Sequence, residues 1–232
     1  MTYQIQETKS RPNIYKQPYK MITLFNSNSK DDKSNIQTYS KFQYFQKRLV
    51  DFSIGLLLTT STIPVMIYAI YKIKKESPGS IFFKQSRIGI DGKAFTCYKF
   101  RSMHEDSKFN PYTEDNDTRV FPFGNIMRKM RIDELPQLFN VLKGEMHLIG
   151  PRAEWDILVS DYEKVIPNYH NRHLVAPGIT GLAQVMYPYG RNVEDAKRKL
   201  DYDIEYISSW SMRKELKVMF KTIEVILRKR GM

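Results

Sequence analysis

Hydrophobic and polar positions divide the chain into three stretches. Residues 1–45 are polar and basic, rich in Asn, Ser, Lys and Gln, with little periodicity. That composition predicts a tail, mostly disordered or loosely packed, and it holds neither the apolar core nor the small-residue cleavage site of a secretory leader. Residues 46–75 are apolar with basic ends. Residues 76–232 alternate short apolar runs with helical patterns. Ile81-Phe82-Phe83 and Phe95-Thr96-Cys97-Tyr98 read as strands. Residues 126–143, 154–165, 194–209 and 211–229 read as helices. Residues 105–118, with Asn110-Pro111 and Asp115-Asn116-Asp117, read as a polar surface loop. The pattern predicts an α/β mixed, helix-rich fold with a few short strands. Their order is not set by the pattern.

The apolar stretch deserves the closest reading. From Phe52 to Tyr71 there are twenty residues without a charge, enough for a helix of about 30 Å, the thickness of a bilayer core. Pro64 lies well inside it, removes a backbone donor and predicts a break or kink. The hydroxyls of Thr59, Thr60, Ser61 and Thr62 can satisfy backbone groups near such a break. Lys47 and Arg48 precede the segment, and Lys72, Lys74 and Lys75 follow it. Basic flanks favour the cytoplasmic side, so the segment is expected to enter the bilayer, turn near Pro64 and return. A spanning helix and a buried soluble helix are the alternatives. Asp51 is placed to pair with Arg48 one turn back, or to stand as a solvated helix-end charge.

Near the C-terminus, Leu216, Met219, Phe220, Ile223 and Ile226 fall on one helical face, opposite Lys217, Lys221, Glu224 and Arg228. Met212–Met232 carries seven basic and two acidic residues. This fits an interfacial amphipathic helix on anionic lipid. A core-packed helix with a solvated basic face fits the same pattern.

Charge adds a direction. The net charge of +12 points to an anionic partner: nucleic acid, an acidic membrane or a phosphorylated small molecule. No nucleic-acid motif is present. The one cysteine, Cys97, excludes an intramolecular disulfide and reads as a small buried strand residue.

Candidate chemistry concentrates in Arg128–Arg152, RKMRIDELPQLFNVLKGEMHLIGPR. Asp133 suits a helix N-cap, with Pro136 in the first turn and Gly144 ending the helix. Capping alone accounts for Asp133, and the helix dipole for Glu134. A functional reading uses the same geometry. A helix N-terminus attracts phosphate and favours an ionised Asp133, as a nucleophile requires. Glu134 could hold Mg²⁺ beside substrate phosphates. Arg128, Arg131 and Arg152 could offset a diphosphate, or each could be a solvated surface charge.

From Lys47 to the C-terminus the chain resembles the bacterial sugar transferases, the monotopic polyprenyl-phosphate phosphoglycosyl transferases. The resemblance rests on Lys47-Arg48 with Asp51, the proline-interrupted segment, SPGSIFFKQSRIGIDGKAFTCYKFRSM at 77–103, RIDELPQLFNVLKGEMHLIGPR, APGITGLAQV at 176–185, and KLDYDIEYISSWS. It implies a re-entrant membrane helix over 46–75 and a catalytic domain with interfacial helices over 76–232, at the cytoplasmic face of a bacterial inner membrane. It also implies transfer of a sugar 1-phosphate from a nucleotide sugar, of uracil type, to polyprenyl phosphate by a ping-pong route. On this sequence Asp133 becomes the nucleophile and Glu134 the Mg²⁺ ligand. Arg128 and Arg152 match basic positions near the phosphates, with Lys99, Arg101 and Arg172 as further candidates. Anionic lipid is an expected partner, nucleic acid is not, and a homodimer is plausible.

Three departures stand out. Ile63-Pro64 replaces a Ser-Pro, with Ser61 or Thr62 near enough to supply the hydroxyl. Ala153-Glu154 follows Gly-Pro-Arg where a second proline is usual, which bears on the stiffness of that loop. Leu182 stands where an aromatic is common. The MYPYGRNVEDAKRKLDYD stretch resembles members that transfer a hexose such as glucose or galactose. An N-acetylated or diamino sugar, or an inactive membrane scaffold of the same fold, is the alternative.

Overall fold

One helix dominates the computed structural model, which describes residues 36–105, 107, 117–187 and 192–227. Helix α1 spans Lys41–Glu76. Ser40 caps it in a reciprocal box with Gln43, whose side chain accepts from the Ser40 N–H. The expected tail therefore ends earlier than residue 45. Its first 35 residues lie outside the described ones, while Ile36 and Tyr39 pack against the core.

α1 runs through Pro64 as a single helix, so the expected division into helix, break and helix is not seen as a gap in helical structure. The hydroxyls of Thr59, Thr60, Ser61 and Thr62 each donate to a carbonyl one turn back, Gly55 to Leu58 in order. Such bonding, next to a proline, favours bending over termination.

Along its whole length α1 buries one stripe, Lys47, Asp51, Gly55, Thr59, Met66, Ala69 and Ile73. The stripe packs on α2, α3 and β3. The opposite side exposes Leu49, Phe52, Leu56, Leu57, Ile67 and Tyr71. α1 is long and apolar enough to cross a membrane by length and composition.

Strands β1 (Phe82–Ile88) and β2 (Ala94–Phe100) form an antiparallel hairpin. Its five-residue link uses Asp91 and Gly92, both at positive φ. Cys97 is buried in β2, and burial pushes its thiol pKa up, as expected for an inert core residue.

The single helix expected over 126–143 is two. α2 (Pro122–Lys129) ends before a 3-10 turn, Ile132–Glu134, and α3 (Gln137–Lys143) follows. Arg131, at φ 57°, makes the corner. Gly144 ends α3 at φ 89°, the left-handed conformation that glycine adopts without penalty.

Strand β3 (His147–Ile149) pairs in parallel with β4 (Gly178–Thr180). Helices α4 (Asp156–Val165), α5 (Leu182–Met186), α6 (Val193–Ser208) and α7 (Met212–Leu227) complete the unit. The predicted loop at 105–118 lies mostly outside the described residues.

α7 packs on the core through Val218 and Met219 and buries Glu215. The rest of the predicted stripe, Leu216, Phe220 (70% exposed), Ile223 and Ile226, is exposed. The helix thus combines a core-packed side with an outward apolar one.

Candidate active site

Asp133 and Glu134 sit in the 3-10 turn between α2 and α3, both buried. Asp133 does not cap α3; Pro136 occupies that position, in helical conformation. The turn instead brings the pair up to β2 and the segment after β3.

From β2, the Lys99 ammonium reaches Glu134 Oε1 at 2.9 Å. Arg152, three residues past β3, lies 3.6 Å from the same oxygen, and Arg131 3.8 Å. Burial alone would raise the Glu134 pKa, but Lys99, Arg152 and Arg131 hold it well below the usual carboxylate range. Glu134 is therefore ionised at neutral pH.

Asp133 differs. Burial raises its pKa, and Glu134 pushes the same way, against Lys99, Arg131 and Arg128. Burial thus outweighs any help a helix terminus gives the Asp133 charge, and Asp133 is not the easily ionised group its sequence context suggests. Its Oδ1 is buried with no hydrogen-bond partner among the described residues, an unsatisfied acceptor beside the ring of cations. Two neighbouring carboxylates with their pKa values driven apart form a pattern common to acid–base and nucleophilic sites.

Arg128 flanks the pair. Its Nε donates to Ser102 Oγ at 3.0 Å. Burial works against its charge while Asp133 supports it. The loop after Arg152 is fixed without a second proline: Ala153 O accepts from the Arg87 guanidinium, and Glu154 O from the Ile88 N–H at 3.1 Å.

Arg172 supports this loop from beneath. It bonds Asp203, Tyr169 and the Arg152 carbonyl. It thus orients Arg152 and does not itself face the pair. Arg101 is elsewhere. β2 stops at Phe100, and the Arg101 guanidinium turns to Ser77 and Ser80 at the end of α1.

Lys47, Arg48 and Asp51 also depart from expectation. Lys47 is 1% exposed and binds Glu215 at 2.9 Å. Asp51 pairs with Lys47 and His147, not with Arg48. These residues dock α1 on the rest of the fold. Nothing in the local pattern near residue 50 could reveal partners 93 to 168 residues away.

Among the described residues no group of three or more metal-type ligands occurs. Asp133 and Glu134 fit a magnesium ion nonetheless, since that ion usually takes only one or two carboxylates and completes its shell with water and phosphate. The donors would be the orphaned Asp133 Oδ1 and the second oxygen of Glu134, since Lys99, Arg131 and Arg152 all meet Glu134 at Oε1. A cavity of about 260 Å³ lined by Tyr39, Lys41, Tyr44 and His147 contains neither carboxylate. A narrower cleft is bounded by Lys99, Gln137, Arg152 and Gly178; neither carboxylate lines it, but Lys99 and Arg152 both reach Glu134.

With this geometry in view, the comparison with known families is decisive. The bacterial sugar transferase family model matches residues 42–229. The chain belongs to the bacterial sugar transferase family.

Its relatives include a UDP-N-acetylgalactosamine-undecaprenyl-phosphate N-acetylgalactosaminephosphotransferase of Aeromonas hydrophila, 42% identical over 79% of this chain and 44% of the relative. A UDP-glucose:undecaprenyl-phosphate glucose-1-phosphate transferase of Caulobacter vibrioides is 40% identical over 78% of this chain and 70% of its own length. The sugar transferase EpsL of Bacillus subtilis is 40% identical over 80% of this chain and 89% of its own. The match spans less than half of the Aeromonas relative. Family membership therefore rests on the portion that these relatives share with the chain.

Proposed function

We propose that this family member transfers a sugar 1-phosphate from a UDP-sugar to undecaprenyl phosphate, as the first membrane step of a surface glycan. The observation that carries the reading is the buried Asp133–Glu134 pair, ringed by Lys99, Arg131 and Arg152 and flanked by Arg128.

In the first step an Asp133 oxygen attacks the phosphorus that bears the sugar. A P–O bond to Asp133 forms, the bond to the uridylyl phosphate breaks, and UMP leaves with the bonding electron pair. In the second step an oxygen of undecaprenyl phosphate attacks the same phosphorus, and Asp133 departs as a free carboxylate. Arg128 and Arg152 stabilise charge on the phosphoryl oxygens, and Lys99 holds Glu134 ionised. A magnesium ion at Asp133 and Glu134 would supply charge neutralisation to the diphosphate.

The same reading has α1 entering one leaflet from the cytoplasmic face of the inner membrane and returning to it. Support comes from where its ends dock. Near its start, Lys47 and Asp51 bind α7 and β3. Near its end, Glu76 accepts from the Phe123 N–H at 2.7 Å. Both ends rest on one unit, whereas a straight crossing would carry them to opposite faces. The exposed apolar stripes of α1 and α7 supply a face for lipid, and the basic residues of α7 suit anionic headgroups.

For the sugar, we favour a hexose such as glucose or galactose. An N-acetylated sugar is the second reading, favoured by the Aeromonas relative.

The test is a panel of UDP-sugars offered to detergent-purified protein, first without lipid acceptor. A stoichiometric burst of UMP and a matching sugar-phosphate mass on the protein are expected, both lost in Asp133→Asn. An Asp133→Asn protein with full turnover, or no UMP release from any UDP-sugar, refutes the assignment.

A further inference from the structure

The two halves of the site belong to elements that α1 grips separately. Arg48 reaches α3 at its C-terminal end. Its guanidinium donates to the carbonyls of Val141 and, at 2.7 Å, Leu142. A cation there meets the negative end of the helix dipole, the Leu142 carbonyl, and a Val141 carbonyl that also accepts from the Gly144 N–H. α3 begins just after Asp133 and Glu134, so its axial position sets theirs. The fit is close: a Cβ on Gly144 would stand 3.3 Å from the Arg48 guanidinium, and one on Gly55 3.4 Å from Val141.

One turn along α1, Asp51 reaches β3. His147 and Gly150 donate their N–H groups towards the β4 side, to Pro177 O and Thr180 O. The other edge of β3 carries no strand among the described residues. Asp51 covers it, accepting from the Leu148 N–H at 3.2 Å and from His147 Nδ1 at 2.6 Å. Tyr206 completes that edge at the Ile149 carbonyl, 3.0 Å away. Glu215 of α7 accepts from Lys47, Tyr206 and Trp210, which locks α1 and α7 around the strand. Three residues past Ile149 comes Arg152.

We propose that Arg48 and Asp51 are positioning residues, which from one face of α1 fix the spacing between Arg152 and the Asp133–Glu134 turn. The proposal rests on the phosphotransfer reading of that site. Seating α1 against lipid is then transmitted to the reacting groups through two short, charge-assisted contacts. A misplacement of about 1 Å at such a site costs on the order of 10²-fold in rate.

A double-mutant cycle on UMP release tests it. Asp51→Asn keeps an acceptor for Leu148 but loses the charge that orients His147. It is expected to lower kcat/KM about 10- to 100-fold in the wild-type background, and less than about 3-fold when Arg152 is already alanine, because the two changes remove one interaction. Equal losses in both backgrounds, with Arg152→Ala itself impaired, overturn the positioning role and leave the phosphotransfer reading standing. An Arg152→Ala protein with wild-type kcat/KM overturns both. Should Asp51→Asn fail to fold, Arg48→Lys carries the same cycle against Glu134→Gln, since lysine keeps the charge but not the two-pronged grip. The same two patterns then decide.

Discussion

Replacing Lys99 by methionine should move the acid limb of the reaction upward in pH. Lys99 is the first counter-charge to both carboxylates, and its ammonium stands 2.9 Å from Glu134. At an effective dielectric of about 20, that separation corresponds to about 6 kcal/mol of attraction for Glu134 as a ceiling. Asp133 is the adjacent residue, and Lys99 heads the charges that hold its pKa down against burial. Arg152 and Arg131 remain near the pair, and water enters where the ammonium stood. These offsets keep the upward shift at Asp133 well short of the contact energy at Glu134. The sign follows from the role. Asp133 must be ionised to attack, burial already raises its pKa, and loss of Lys99 raises it further. Rate should therefore fall at a higher pH than in the wild type and recover at alkaline pH. The assay is the UMP burst measured from pH 5 to 9, with nucleotide-sugar KM followed in parallel. An unmoved acid limb with a raised KM would mean that Lys99 binds a substrate phosphate and does not tune Asp133.

Three further outcomes follow from the fold. Phe220→Asp with Ile223→Asp puts two charges into the exposed stripe of α7; flotation with anionic vesicles should weaken about 10-fold or more at unchanged circular dichroism, and equal flotation refutes a lipid-facing α7. Cysteines replacing Ser40 and Ser80 should label from the same side of sealed vesicles, and opposite-side labelling sinks the same-face placement of α1. Gly178→Ala would set a Cβ 2.1 Å from Gly150 N and 2.4 Å from Thr180 O; separating β3 from β4 should cost about 2–3 kcal/mol, a drop of about 4–12 °C in Tm, and an unshifted Tm would show that the pair tolerates a methyl group.

Local chemistry was legible where partners are near in sequence. Gly144 announced the end of α3, the runs at 81–83 and 95–98 the strands β1 and β2, and Asp133-Glu134 amid arginines the candidate site. What was not legible depends on contacts between distant segments. Lys47, Arg48 and Asp51 resemble flank charges because their partners, Glu215, Val141 and His147, lie 168, 93 and 96 residues away. Lys99 and Arg101 share the YKFRSM block, yet only Lys99 reaches Glu134. The strand stops between them, and Arg101 is drawn to the end of α1. Asp133 looked like a cap because Asp-Glu-Leu-Pro suits a helix start. The left-handed Arg131 and the 3-10 turn shift that start to Pro136. The resulting burial is what raises the Asp133 pKa.

Charge balance gives the proposed route an internal logic. Lys99, Arg128, Arg131 and Arg152 set four cations against the two carboxylates of Asp133 and Glu134, leaving two positive charges in surplus. Counting side chains alone, before a magnesium ion adds its own charge, a nucleotide sugar's two diphosphate charges match that surplus. UMP then leaves as a dianion, carrying one diphosphate charge and the charge that Asp133 gives up, while the attached phosphate diester keeps one. The site is then cationic again, at the moment when an anionic lipid phosphate must enter. A site neutral before substrate arrived would have to draw the second anion against the field of the first. Surplus charge held by rigid neighbours, Arg152 through Arg172 and the turn through α3, meets both arrivals without rearrangement, which is what preorganised electrostatics requires.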